Sequence, residues 1–83
     1  MDEIPKVTRV TVLRPYVLLL EFADSTRGEV DLTNELWGEV FEPLKDPALF
    51  AQVRMEGGTA AWPNGADFAP EFLYDLARGK VQA

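Results

Sequence analysis

The sequence contains no cysteine and no histidine. Without cysteine, the chain can form neither a disulfide framework nor a thiolate zinc site. Without histidine, it lacks the most frequent general base and the most frequent metal ligand. Ser25 is the only serine, so a serine nucleophile activated by histidine is excluded as well. We therefore expect no catalytic residues, no metal site and no cofactor.

Long apolar runs are also absent. The longest aliphatic run covers residues 17–20, far fewer than the roughly 18 apolar residues that a transmembrane helix needs. The first residues, MDEIPK, begin acidic and have no long apolar core, unlike a secretory signal. We therefore expect a cytoplasmic protein with no membrane partner.

What the chain does have is hydrophobic residues, at 47%, and a concentrated negative charge. Its 83 residues suffice for a single domain over 1–83. Residues 21–46 hold eight acids and two bases, which equals the whole net charge of −6, whereas the rest of the chain is balanced. Such a segment disfavours direct nucleic-acid binding and favours a basic protein partner. A solvated surface that keeps the chain soluble is the simpler interpretation.

The first third of the chain has the pattern of β-strands. Alternating and β-branched residues predict strands over residues 6–14, 16–23 and 27–32, separated by Pro15 and by the turn Asp24-Ser25-Thr26. The connections are too short for parallel crossovers, so we expect an antiparallel meander. In the first strand, the alternation places Val7 on the face opposite Val10 and Val12.

The period then changes to one typical of helices. Thr33 or Asn34 can cap a short helix, which Gly38 weakens and Pro43 ends. Its apolar positions have i, i+1, i+4, i+5 spacing: Leu36, Trp37, Val40 and Phe41.

Three further elements follow in the second half of the chain. Asp46-Pro47 starts another helix, with Asp46 as its cap and Leu49, Phe50 and Val53 facing inward. Gly57-Gly58 predicts a β-hairpin between residues 54–56 and 59–62. The last helix is expected over residues 70–78, with Gly79 in the left-handed position after it.

The segment Trp62-Pro63-Asn64-Gly65-Ala66-Asp67-Phe68 offers an amide, a carboxylate and two aromatic rings within seven residues. Asn64-Gly65 is a turn dipeptide, and Phe68 and Leu73 have the spacing of a hydrophobic staple. Ala69, at the cap position of the last helix, offers no side-chain acceptor. We therefore expect Asp67 to reach the free amides of that helix, and a structural role is favoured over a catalytic one.

Several motifs together are typical of one known family: Phe41-Glu42-Pro43-Leu44, Asp46-Pro47 with Phe50, and Trp62-Pro63-Asn64-Gly65 followed by Asp67 and Leu73-Tyr74. From about residue 5 to residue 74, the chain resembles the small bacterial family catalogued as domain of unknown function 2442. Two residues depart from the family pattern. Ser25 stands where glycine is usual in the turn, and Ala69 stands where an acidic or hydroxyl cap is common.

The resemblance implies a two-layer α+β domain in the order β-β-β-α-β-β-α, with a small, mainly antiparallel sheet packed against helices. It implies no established reaction. Some relatives carry a helix-turn-helix after this domain, for which we expect no room before Ala83. Others look like the antitoxin-like member of a two-gene pair.

We consider three functional hypotheses. The first is a non-catalytic, antitoxin-like interaction module that binds a basic protein partner through Glu35, Trp37, Glu39 and Glu42. The second, from a different class, is a small-ligand or metal-dependent sensor or enzyme that uses Trp62, Asn64, Asp67 and Tyr74. The third, a DNA-binding accessory, is disfavoured by the acidic charge. The unpaired edges of a small sheet are compatible with a homodimer.

Overall fold

The computed structural model of the protein describes residues 5–79. Three strands form one antiparallel sheet in the order β1-β2-β3: β1 (Val7–Arg14), β2 (Val17–Phe22) and β3 (Arg27–Asp31). A separate hairpin consists of β4 (Arg54–Glu56) and β5 (Thr59–Ala61), and the α-helices are α1 (Pro47–Phe50) and α2 (Pro70–Ala77). Two short 3-10 helices, Thr33–Glu35 and Glu42–Lys45, lie between β3 and α1. The expected α+β class and the antiparallel meander are confirmed.

One face of the three-stranded sheet forms the core. Alternate residues of β2, namely Leu18, Leu20 and Phe22, are buried together with Val30 of β3. Each such side chain stabilises the fold by about 1.5–3 kcal/mol when it is fully removed from water. The elements packed on this face contribute Leu44, Phe50, Trp62 and Leu73 to the same cluster.

The expected face for Val7 was wrong. The pairing of β1 with β2 shifts register between Val7 and Arg9, where a β-bulge adds one residue to β1. Because one extra residue reverses the alternation, Val7 joins Val10 and Val12 on the core side, where it is buried.

Helix α2 approaches β3 at Gly28. A Cβ atom at this position would lie 2.3 Å from the carbonyl oxygen of Ala77. Since no side chain fits between the strand and the helix backbone, the inward-facing glycine sets how closely α2 packs on the sheet.

The helix expected at Leu36, Trp37, Val40 and Phe41 does not form, and this prediction was wrong. Gly38 has a φ of +91°, and its carbonyl accepts bonds from the amides of Phe41 (3.2 Å) and Glu42 (2.9 Å). The chain thus turns at Gly38 and enters the 3-10 helix Glu42–Lys45. Pro43 occupies the first turn of that helix, where its missing amide needs no partner, and so it does not end a preceding helix.

The elements expected after residue 45 are confirmed. Asp46 caps α1, since its carboxylate accepts from the amide of Ala48 at 3.0 Å. Gly57 and Gly58 have φ of 60° and 81° and close the β4–β5 hairpin. Helix α2 ends at Ala77, and Gly79 follows with a φ of 74°. Within residues 5–79, no helix is both long and apolar enough to cross a membrane.

Candidate functional site

Trp62 lies in the core. Its indole is 1% exposed, and its Nε1 donates to the backbone carbonyl of Phe50 at 2.8 Å. The ring lies between Phe50 and Phe68, with centroid distances of 5.6 and 5.9 Å. The structure therefore gives Trp62 a packing role with its one polar atom satisfied.

Asn64 holds a turn and a loop together. Its Oδ1 accepts from the amide of Ala66 at 3.2 Å, and its Nδ2 donates to the carbonyl of Val40 at 2.9 Å. The amide of Gly65 and the carbonyl of Trp62 close the same turn at 3.0 Å. Both polar atoms of the Asn64 side chain are thus bonded within the chain, and they fasten this turn to the loop that follows Gly38.

Asp67 does not cap α2, and that expectation was wrong. Its backbone pairs with Ala61 in a β-bridge, and its exposed carboxylate makes no hydrogen bond to any residue within 5–79. The bridge holds residue 67 in the hairpin layer, two positions before the cap residue Ala69. The start of α2 is stabilised instead by Phe68, whose ring stacks on Phe72 at 5.7 Å.

Tyr74 is directed towards the β2–β3 turn. Its hydroxyl donates to Oδ2 of Asp24 at 2.5 Å, and its ring meets Phe22 edge-on at 5.1 Å. The guanidinium of Arg78 lies 5.0 Å from the same ring. The Tyr74 hydroxyl, and next the amide of Thr26, hold the pKa of Asp24 below its ordinary value of 3.8.

The side chains of the four ligand-site candidates have separate bonding partners or none among the described residues. In the described part of the chain, no hydrogen bond or ring contact joins any two of Trp62, Asn64, Asp67 and Tyr74 through their side chains. No group of three or more acidic residues within 5–79 is arranged to hold a metal ion. A ligand role for these four residues stays a prediction.

The partner-binding candidates lie on and between the two 3-10 helices: Glu35 ends the first, Glu42 begins the second, and Trp37 and Glu39 lie on the irregular segment between them. Leu36 is buried, and Phe41 stacks on Phe68 at 4.6 Å, so both ends of the segment are anchored in the core. Between these anchors, Trp37 is 70% exposed and Val40 is 47% exposed. We name residues 35–42 the acidic loop.

The carboxylates of the acidic loop face solvent to different degrees. Glu39 and Glu42 are exposed, whereas Glu35 is half-buried. Glu42 lies 3.6 Å from Lys45 in an exposed ion pair, which contributes little to stability. The structure thus places a large exposed aromatic ring in a segment whose charged groups are all acidic.

The exposure of Val40 was not predicted, because helical spacing assigned this residue to an inner face. Two contacts were not predicted either: that of Asp24 with Tyr74, and that of the Tyr16 hydroxyl with the carbonyl of Lys45. These contacts join residues 50 and 29 positions apart. The sequence signal for both contacts is a tyrosine next to an apolar run. When the ring of such a tyrosine is packed in the core, its hydroxyl needs a hydrogen-bond partner.

A family profile described as "Protein of unknown function (DUF2442)" matches residues 7–79. The chain belongs to the DUF2442 family. No curated protein and no solved structure matches this DUF2442 chain. The resemblance based on the motifs is thereby confirmed, and the match includes all five strands and both α-helices that the structure describes.

The structure of this DUF2442 protein explains one departure from the family pattern. Ser25 has a φ of 75°, in the left-handed region where glycine is the usual residue. The turn nevertheless closes, because the Ser25 amide donates to Phe22 at 2.9 Å and the Phe22 amide donates to Thr26 at 2.8 Å. The turn therefore closes with serine, at the cost of a strained backbone conformation at Ser25.

Proposed function

We propose that this DUF2442 protein is a non-catalytic interaction module that binds a basic protein partner through the acidic loop. The observation that supports the proposal is the 70% exposure of Trp37, while Leu36 beside it is buried. A buried neighbour limits the freedom of the backbone at Trp37, so the indole is presented from an anchored segment. Tryptophan is among the residues enriched at binding hot spots, since it combines a large apolar surface with one polar atom.

The apolar surface of the acidic loop would supply most of the affinity. Trp37 and Val40 are both exposed, and covering them removes apolar area from water at about 25 cal/mol per Å². The carboxylates of Glu39 and Glu42 would act mainly on encounter and orientation, because charges at the rim of an interface change the association rate more than the affinity.

An antitoxin-like role fits the same arrangement. The module would cover a basic surface of its partner, and the partner's own activity would be blocked by occlusion. This finer role rests on the resemblance of the chain to relatives that look like one member of a two-gene pair, so it is an analogy from the family.

The test begins with a tagged pull-down from native lysate, eluted by rising salt and identified by mass spectrometry. The expected result is one basic protein, retained in stoichiometric amount and released as salt screens the charges. If no protein is retained even at low salt, the proposal is wrong, and ligands and metals should be screened on residues 62–67 instead.

Substitutions then locate the surface on the retained protein. Trp37→Ala is expected to weaken binding at least tenfold, a loss of about 1.4 kcal/mol or more. Met55→Ala is the matched control, because Met55 is 44% exposed but lies on the β4–β5 hairpin. Equal losses from both variants would contradict a specific role for Trp37.

A second pair of variants separates position from net charge. The triple variant Glu35→Gln, Glu39→Gln, Glu42→Gln removes three charges from the acidic loop. A control triple removes three exposed charges elsewhere: Glu29, Glu56 and Glu71, each to Gln. Both triples break exposed ion pairs, since Glu42 contacts Lys45, Glu29 contacts Arg14 and Glu56 contacts Arg54. Only the first triple should reduce the association rate and its salt dependence.

A further inference from the structure

The two outer strands of the sheet, β1 and β3, each have one edge that is not paired with β2. Which backbone groups are free on these edges follows from the residues of β2 that bond to each strand. Two backbone bonds continue the β2–β3 register: Leu32 donates to Tyr16 at 2.7 Å, and Phe22 donates to Thr26 at 2.8 Å. In an antiparallel pair, bonded and non-bonded residue pairs alternate. The even-numbered residues of β2 therefore bond to β3, and the odd-numbered ones bond to β1.

The same alternation identifies the free groups of β1. Leu19 of β2 is paired with Thr11, so these two residues exchange backbone bonds. Val10 and Val12, on either side of Thr11, direct their N–H and C=O groups to the outer edge. Within residues 5–79, no other backbone or side-chain group bonds to them.

This open edge has a defined extent. At its start, the amide of Val7 donates to the carbonyl of Gly58 at 2.9 Å, so the β4–β5 hairpin already covers that end. Beyond it, Val10 and Val12 are only partly buried against the core, and Leu13 is 39% exposed. Unpaired strand edges with apolar side chains are templates for a further strand.

We propose that the β1 edge over residues 10–13 pairs antiparallel with the same edge of a second copy, which joins two three-stranded sheets into one six-stranded sheet. A second register shift, between Val12 and Arg14, turns the backbone groups of Arg14 towards β2, so the regular edge ends near Leu13. Pairing centred on Thr11 sets Val10 against Val12 of the second copy, and these residues exchange backbone bonds. It also sets Arg9 beside Leu13 of the second copy. The contact is isologous, so it closes at a dimer.

Repulsion between acidic residues disfavours pairing of two copies through β3 and therefore favours pairing through β1. Self-pairing centred on Glu29 of β3 would set two carboxylates opposite each other and bring two acidic segments, residues 21–46 of each copy, side by side. That register also allows Arg27 to meet Asp31, but exposed pairs contribute at most about 1 kcal/mol each. The net charge of −6 carried by each segment opposes the approach.

Pairing through β1 avoids this repulsion. In the six-stranded sheet, the two β3 strands lie five strand spacings apart, about 24 Å, which is about three times the Debye length in physiological salt. The arginines of β1 are also matched within their own chain. Arg9 is paired with Glu21 across the strands, and Arg14 lies 3.6 Å from Glu29.

The experiment is sedimentation equilibrium of the whole chain from about 1 µM to about 1 mM protein, combined with amide hydrogen exchange. A short strand contact buries little area, so we expect a dimer with a Kd within this range. Exchange at the amides of Val10 and Val12 should slow as the dimer forms. A chain that stays monomeric at about 1 mM overturns the proposal, as does a dimer in which these two amides exchange at the monomer rate.

Three variants localise the contact. Val12→Pro removes an edge amide that bonds to Val10 of the second copy, and Leu13→Arg places a cation beside Arg9 of the second copy. Each should raise the Kd at least tenfold, whereas Leu13→Glu should not raise it. Val40→Arg is the control, since it makes the same change in net charge as Leu13→Arg at an exposed apolar residue of the acidic loop. If Val12→Pro does not fold, the Leu13 variants still test the proposal. Equal effects of Leu13→Arg and Val40→Arg on the Kd of the dimer would overturn it.

Discussion

The hydroxyl of Tyr74 donates a hydrogen bond of 2.5 Å to Oδ2 of Asp24. This bond joins helix α2 to the turn between β2 and β3. The carboxylate also accepts from the amide of Thr26 at 2.9 Å, so one side chain closes the turn and holds the helix. Both donors favour the ionised carboxylate, and the Tyr74 hydroxyl has the larger effect on its pKa.

Tyr74→Phe is expected to destabilise the protein at neutral pH and to lose that effect in acid. The pKa of Asp24 in the folded protein lies below the ordinary value of 3.8, so the stabilisation is present above that value and is lost as the pH falls through the folded pKa. Thermal unfolding of both proteins between about pH 7 and about pH 2 measures the difference.

Tyr16→Phe is the control for this titration. It also removes a tyrosine hydroxyl, but the acceptor is the neutral carbonyl of Lys45, so its effect should show no such dependence on pH. A Tyr74→Phe effect that is constant over the whole pH range would contradict the assigned role of Asp24.

The two tryptophans should differ strongly in their contribution to stability. Trp62→Phe removes a buried donor from the carbonyl of Phe50 and leaves a cavity, so we expect a loss of about 2–4 kcal/mol. Trp37→Phe changes an exposed side chain and should alter the free energy of unfolding by no more than about 0.5 kcal/mol. Urea unfolding measures both, and similar losses would contradict the assigned positions of the two rings.

The aspartates at the two helix starts form a second contrasting pair. Asp46→Ala removes the cap of α1 and should lower the free energy of unfolding by about 1 kcal/mol. Asp67→Ala removes no hydrogen bond to any residue within 5–79, so we expect a change within about 0.5 kcal/mol. Chemical denaturation of both variants and of the unaltered protein under the same conditions measures the two changes in the free energy of unfolding. A loss of about 1 kcal/mol in Asp67→Ala would restore the capping role that the structure denies it.

Ser25→Gly should stabilise the protein. Serine is strained at a φ of 75°, and glycine relieves about 1–2 kcal/mol of that strain while adding up to about 1 kcal/mol of unfolded-state entropy. A net gain of about 0.5–1 kcal/mol is expected in urea unfolding. Ser25→Ala keeps the Cβ atom and should bring no gain, so an equal gain from alanine would show that backbone strain is not the cause.

The sequence by itself determined the strands, the hairpin, α1 and α2, because each depends on neighbours in the chain. Alternation in β2, the cap at Asp46 and the glycine pair at Gly57-Gly58 act over a few residues and need no distant partner. The family motifs belong to the same local information, and the family profile matches residues 7–79.

Only the tertiary structure decided the candidate surface and the side-chain links. Helical spacing places Val40 inside, yet the turn at Gly38 and the stacking of Phe41 on Phe68 leave it outside with Trp37. The bulge after Val7 likewise moved one valine to the other face of the sheet. Such outcomes depend on groups that are distant in sequence and meet only in the folded chain, so no local pattern contains them.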